Sequence, residues 1–147
     1  ATLIHDDTVD NSETRRGRAT VSSLWGHNVA VLLGDHIFAT AGTWVSDTHN
    51  MRVIRRFSET IKELATGELM ELVGARDVAI TREQYWERLY NKTASLFVTA
   101  AESGSVLSGA PEEIIQALRA YGCAIGMAFQ VVDDILDFDG NEAVLLD

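Results

Sequence analysis

Asp133, Asp134 and Asp137 lie at i, i+1 and i+4, with Gln130 three residues ahead of them. On an α-helix these offsets (i, i+3, i+4, i+7 from Gln130) place three carboxylates and one amide on a single face. Continued backwards in fours, the same line meets Gly126 and Gly122. The flanking residues are Val131, Val132, Ile135, Leu136 and Phe138, an apolar setting in which three carboxylates repel one another and resist desolvation. No Lys or Arg follows Arg119, so a metal ion or a distant helix must neutralise them. Taken alone, the stripe reads equally as a solvated acidic helix end.

A second copy changes that balance. Asp6-Asp7-Thr8-Val9-Asp10 repeats the spacing more than 120 residues upstream, after Leu3, Ile4 and His5. Two such faces across a bundle predict a site for hard divalent cations. Mg²⁺ takes oxygen ligands, keeps waters, and is held by one or two carboxylates together with phosphate oxygens. Zinc fits poorly, since neither motif contains Cys and only His5 is near. Arg15, Arg16 and Arg18 follow the first motif. Guanidinium forks match phosphate oxygens; a cationic cap at a helix C-terminus is the alternative, and it weighs more for Arg18 than for Arg15 and Arg16.

The elements that must carry these residues are helices. The chain has 147 residues, 46% of them hydrophobic, with 22 acidic against 12 basic side chains and a formal charge of −10. That is enough for a core, and too acidic to hold nucleic acid on a basic surface. A phosphorylated ligand would have to arrive with cations. A single cysteine, Cys123, excludes an internal disulfide framework and leaves the redox compartment open, with a reducing cytosol the default. The longest uninterrupted apolar runs fall far short of the ~18 residues of a membrane span, so no span is predicted. Beginning at Ala1, the chain reads as processed or incomplete.

Punctuation predicts five helices. They cover Ala1 to about Thr14, about Val21 to about Asp47, about Met51 to Val73, Thr81 to the Ser103–Gly109 stretch, and Pro111 to about Asp139. Gly74 to Ile80 reads as a loop. Thr81-Arg82-Glu83-Gln84 has the capping-box pattern. Pro111, Glu112 and Glu113 suit a first turn, and Gly140 suits a stop. On the fifth helix Ile114, Leu118, Tyr121, Ile125, Ala128, Val132 and Ile135 form an apolar stripe. No segment reads as a strand, so an all-α bundle is predicted.

The chain resembles the trans-type (head-to-tail) polyprenyl diphosphate synthases. The resemblance rests on Leu3-Ile4-His5-Asp6-Asp7-Thr8-Val9-Asp10 followed by Arg15-Arg16-Gly17, on Gly34-Asp35, on Lys92-Thr93, and on Phe129-Gln130-Val131-Val132-Asp133-Asp134-Ile135-Leu136-Asp137. It implies an isoprenoid-synthase helical bundle whose aspartate motifs face a central cavity. The implied reaction is a Mg²⁺-dependent condensation of isopentenyl diphosphate with an allylic diphosphate. Asp6, Asp10 and Asp133 would be the main metal carboxylates, with Asp7, Asp134 and Asp137 assisting. Arg15 would contact the allylic diphosphate, Arg16 isopentenyl diphosphate, and Lys92 a diphosphate, while Thr93 and Gln130 would lie near the cationic carbon.

Residues one turn before the first motif line the product tunnel in that family. Ala1 and Thr2 are small there, which predicts a medium- or long-chain product. The resemblance also implies a homodimer in the cytoplasm, not membrane-spanning, placed at a membrane periphery for product release.

Relative to that family, the chain lacks the Lys/Arg-containing isopentenyl-binding region before the first motif and a Gly-Lys pair after the second. Residues 1–147 are therefore expected to be one domain, a fragment of a larger synthase domain, either cut or missing a loop near Val144-Leu145-Leu146. Two other functions share the fold. Non-catalytic regulatory subunits of hetero-oligomeric prenyl synthases lose the aspartate motifs, and terpene cyclases replace the second with an Asn/Ser/Glu metal site. Both motifs are intact here.

Overall fold

The structure, a computed structural model, describes the backbone of residues 1–74 and 80–139 and the side chains of residues 1–74 and 80–136. The side chain of Asp137, most of the Gly74–Ile80 loop and the Val144-Leu145-Leu146 stretch lie outside the described residues. The backbone forms two compact units, one built on Ala1–Asp47 and one on Thr48–Phe138.

In the first unit, helix α1 spans Thr2–Val9 and a strand pair follows, β1 (Thr14–Arg15) against β2 (Arg18–Ala19). The predicted helix through Thr14 stops early because Asp10 caps it and Asn11 enters the left-handed region at φ 54°. The hairpin corrects the expectation of no strand. Its tip is Arg16 (φ 49°) and Gly17 (φ 69°), and two positive φ values suit the twist of a two-residue hairpin loop. Arg16 is an unusual residue for that position, so the turn is hidden in the sequence. The predicted second helix is in fact two, α2 (Val21–Trp25) and α3 (His27–Asp47), divided at Gly26 with φ 84°. Thr20 caps α2, its Oγ1 accepting from Ser23 N at 3.1 Å.

In the second unit, α4 spans Met51–Gly74, α5 Arg82–Leu89, α6 Ser95–Leu107 and α7 Glu112–Asp139, with a π-helical turn at Tyr90–Ala94 between α5 and α6. The capping box forms as its sequence requires. Thr81 N donates to Gln84 Oε1 at 2.8 Å and Gln84 N donates to Thr81 Oγ1 at 3.2 Å. Helix α7 is described through Asp139, and its predicted stop at Gly140 lies outside the described residues.

The packed face of α7 is not the predicted apolar stripe. Gly122, Gly126 and Gln130 are buried, whereas Val132 and Ile135 are 54% and 57% exposed. A Cβ on Gly126 would lie 2.7 Å from Ala94 Cα, and one on Gly122 would lie 2.8 Å from the Phe97 carbonyl oxygen. The helices touch backbone to backbone where α7 has no side chains. Bulky residues cannot approach so closely, and within this chain they remain outside.

Two stretches, His27–Asp47 and Glu112–Leu136, are long and apolar enough to cross a membrane by length and composition, each with a mean hydropathy of 1.2. Counting uninterrupted apolar residues excluded any such helix. Isolated Gly, Asp and His positions break a run but only dilute a window, so that exclusion does not stand.

The seam between α4 and α6 is polar. Arg56 Nε donates to Thr99 Oγ1 at 2.9 Å, Arg56 also pairs with Glu63, and the Thr60 and Thr99 hydroxyls bond to each other. Burial is the largest influence and works against the Arg56 charge, but the hydrogen bond to Glu63 and the surrounding negative charge together outweigh it and leave the pKa above its ordinary value. At the start of α4, Arg52 bridges buried Glu102 (3.0 Å) and exposed Glu112 (2.6 Å). The Arg52 hydrogen bond, and then that of Gln116, lowers the Glu112 pKa to about 2.

A depressed carboxylate pKa adds stability above the ordinary value of 4.5, and that contribution fades as pH falls toward about 2. The pair is exposed, so its effect is small. Thermal melts of Glu112→Gln and wild type should therefore differ modestly at pH 7 and converge toward pH 2. A difference that does not change with pH would dissociate the shift from this pair.

Candidate active site

In the first unit the aspartate motif lies on the last turn of α1. Asp10 N donates to Asp6 O at 2.8 Å, which sets the two residues one turn apart. Asp6 is half-buried and Asp10 exposed. Asp7 points elsewhere. It is 7% exposed, and its Oδ1 accepts from Arg15 Nε at 2.7 Å. This pair ties the hairpin to α1, so Asp7 acts there as an anchor for Arg15. The Arg15 side chain is still 42% exposed, and Arg16 stands at the exposed hairpin tip beside it.

The Gly34-Asp35 pair seats the same helix. A Cβ on Gly34 would run into the His5 ring. His5 Nε2 lies 3.2 Å from Val31 O and 3.4 Å from Asp35 Oδ1. His5 immediately precedes Asp6, so α3 holds the base of the motif through this imidazole. Ala1 and Thr2 sit at the start of α1, both half-buried.

In the second unit, Lys92 and Thr93 lie inside the π-helical turn. π turns recur at functional sites because the wider coil redirects side chains. A Cβ on Gly67 of α4 would meet Lys92 N at 2.7 Å, so the turn rests directly on a bare stretch of that helix. Lys92 Nζ pairs with Glu71. Thr93 Oγ1 donates to Gln130 Oε1. Gln130 Nε2 in turn donates to Asp133 Oδ2 at 3.2 Å and to Asp134 Oδ1 at 2.9 Å. Two carboxylates facing the nitrogen fix the amide orientation, since the reverse would set oxygen against oxygen. Glu71, Arg88, Leu89, Lys92, Gln130 and Asp134 line a small polar cleft.

Tyr85, Glu71 and Arg88 were not found by sequence reasoning. Tyr85 Oη donates to Asp134 Oδ2 at 2.7 Å. Its burial, and then this bond, hold the phenol pKa above its ordinary value, so it remains a donor through neutral pH. The only sequence signal was its place on the predicted fourth helix, two turns before Lys92.

Among the described residues no three His, Cys, Asp or Glu side chains converge as a ready-made metal cage. Each motif by itself carries carboxylate oxygens, Asp6 and Asp10 one turn apart in the first unit and exposed Asp133 in the second. Oxygen donors of this kind suit a hard cation that completes its shell with water and phosphate oxygens, and do not suit zinc.

The chain is 39% identical over 141 residues to octaprenyl diphosphate synthase of Escherichia coli, a match covering 96% of this chain and 44% of that protein. The crystal structure of a decaprenyl diphosphate synthase from Rhodobacter capsulatus matches with a TM-score of 0.91 at 45% identity, covering 97% of this chain and 44% of that one. That of polyprenyl synthase from Caulobacter crescentus, complexed with calcium and isoprenyl diphosphate, matches with a TM-score of 0.92 at 38% identity, covering 98% and 44%. The chain thus spans less than half the length of these relatives, and its helical fold is theirs. The polyprenyl synthetase family model matches residues 1–146, and the chain belongs to that family.

Proposed function

We propose that the protein is a Mg²⁺-dependent prenyltransferase that condenses isopentenyl diphosphate with an allylic diphosphate to make a medium- or long-chain polyprenyl diphosphate. The observation that carries this reading is the junction at Gln130, where the π turn brings the Thr93 hydroxyl to the amide heading the second aspartate motif. Asp6, Asp10 and Asp133 would hold Mg²⁺. When bound, the metal acts as a Lewis acid that neutralises the diphosphate and stabilises charge as it departs.

The protein's own groups do the rest. Arg15, Arg16 and Lys92 bind diphosphate oxygens through charge-assisted hydrogen bonds. Thr93 and Gln130 present oxygen dipoles beside the electron-poor carbon that the isopentenyl double bond attacks. Water must be kept from that carbon. Relatives named as octaprenyl and decaprenyl diphosphate synthases support a long product. A homodimer fits the apolar surface of α3, where Leu32 and Trp44 are 68% and 70% exposed. We read α3 and α7 as helices of a protein that does not span the membrane, since α7 is seated by backbone contact on α6.

The test is to incubate the full-length protein with radiolabelled isopentenyl diphosphate, a series of allylic primers and Mg²⁺, and to size the products. Cation-dependent elongation is expected, and its absence with every primer refutes the reading. Ala1→Phe or Thr2→Phe should shorten the longest product, because an aromatic ring at the start of α1 would narrow the tunnel. An unchanged product distribution in both variants would show that these positions do not face it.

A further inference from the structure

Among the described motif aspartates, Asp7 and Asp134 are held by named side chains of their own unit. Asp7 is held by Arg15, and Asp134 has both oxygens engaged, Oδ2 by Tyr85 and Oδ1 by Gln130. The donors to Asp134 are neutral. Each oxygen accepts one of these bonds, so the carboxylate is held in one orientation between Tyr85 and Gln130. The exposed neighbour Asp133 accepts only the longer of the two Gln130 bonds.

The π turn explains why Tyr85 takes part. Tyr85 and Thr93 are eight residues apart. On an uninterrupted α-helix that spacing puts them about 80° out of line. A π turn absorbs one extra residue and removes most of that offset, so both face α7. Thr93 reaches Gln130, and Tyr85 reaches Asp134 one turn further along. The result is one continuous chain of hydrogen bonds, Tyr85 to Asp134, Gln130 to Asp134, Thr93 to Gln130.

We propose that Tyr85 is a positioning residue for the prenyl-transfer step and that Asp134 is its hydrogen-bond acceptor rather than a cation ligand. This rests on the prenyltransferase reading given above. Tyr85 fixes Asp134, Asp134 fixes the Gln130 amide, and the amide keeps the Thr93 hydroxyl turned toward it. Asp133 is left as the ligand of the pair.

The test uses the full-length protein and the variants Tyr85→Phe, Asp134→Asn and Asp133→Asn. Cation half-saturation is measured by calorimetry with Mg²⁺ and an unreactive thiolo analogue of an allylic diphosphate, independently of turnover. Tyr85→Phe and Asp134→Asn should leave it within about twofold, while Asp133→Asn should shift it ~10–100-fold. In steady state, Tyr85→Phe should lower kcat about tenfold or more with little change in either KM, as expected for loss of an interaction that matters only in the transition state. The double variant Tyr85→Phe/Asp134→Asn should be no slower than the worse single variant, because both break one chain of bonds.

A shift in half-saturation in Asp134→Asn as large as that in Asp133→Asn would make Asp134 a ligand and overturn the proposal. So would wild-type kcat in Tyr85→Phe, or fully additive losses in the double variant. Each is distinct from the wild type failing to elongate any primer, which refutes the prenyltransferase reading itself.

Discussion

Asp133→Ala is expected to lower kcat of the full-length protein by about 10²–10³-fold, the size of losing one group that stabilises developing charge. Asp133 is exposed on α7, beside Asp134, whose two oxygens already accept from Tyr85 and Gln130, so Asp134 is poorly placed to replace it. Asp6→Ala should behave alike, because Asp6 and Asp10 are one turn apart on α1 while Asp7 is committed to Arg15. Helix content should be unchanged in both, since neither side chain belongs to a packed core. The checks are steady-state rates across a Mg²⁺ titration and far-ultraviolet circular dichroism. Wild-type rates in either variant would remove that residue from the metal site.

Gly126→Leu is expected to be strongly destabilising in the second unit. The site leaves a Cβ 2.7 Å from Ala94 Cα and 3.0 Å from Ala94 Cβ. Those neighbours are backbone and a methyl, which cannot rotate away. Overpacking of this kind costs roughly 1–3 kcal/mol, and leucine adds three carbons beyond that first contact. Its better helix propensity returns only about 1 kcal/mol. In a protein about twice this length, like its relatives, each kcal/mol lowers Tm by roughly 1–2 °C. Separating α7 from the π turn should also part Thr93 from Gln130, so activity should fall with stability. A wild-type melting temperature would mean that α7 is not seated as closely as described.

Much of this was legible in one chain. The capping box at Thr81 and the Pro111-Glu112-Glu113 start were read from local chemistry, since caps depend on a few adjacent residues. The line Gln130–Gly126–Gly122 was visible as a stripe, though its meaning was not. Small residues at helical spacing do not say whether they face solvent, ligand or another helix, and here they face α6. The apolar stripe beside them looked like the core and is not the packed face within this chain. The hairpin at Thr14–Ala19 was missed because Arg16 adopts a left-handed turn that sequence statistics assign to Gly or Asn.

The sequence by itself determined the type of chemistry: two aspartate motifs at one-turn spacing, the arginines beside the first, the Lys92-Thr93 pair, and a helical chain to carry them. These are consequences of covalent spacing and the helical repeat, which act over a few residues. Only the tertiary structure decided which of those groups are committed to partners. Asp7 is bound to Arg15, and Asp134 to Tyr85 and Gln130, while Asp133 stays exposed. Tyr85 entered the site through a single π turn, an extra residue in a helical coil that leaves no mark in composition or periodicity. Within the site, hydrogen bonds between residues up to 49 positions apart depend on how helices are seated, and backbone contact at a few glycines sets that seating.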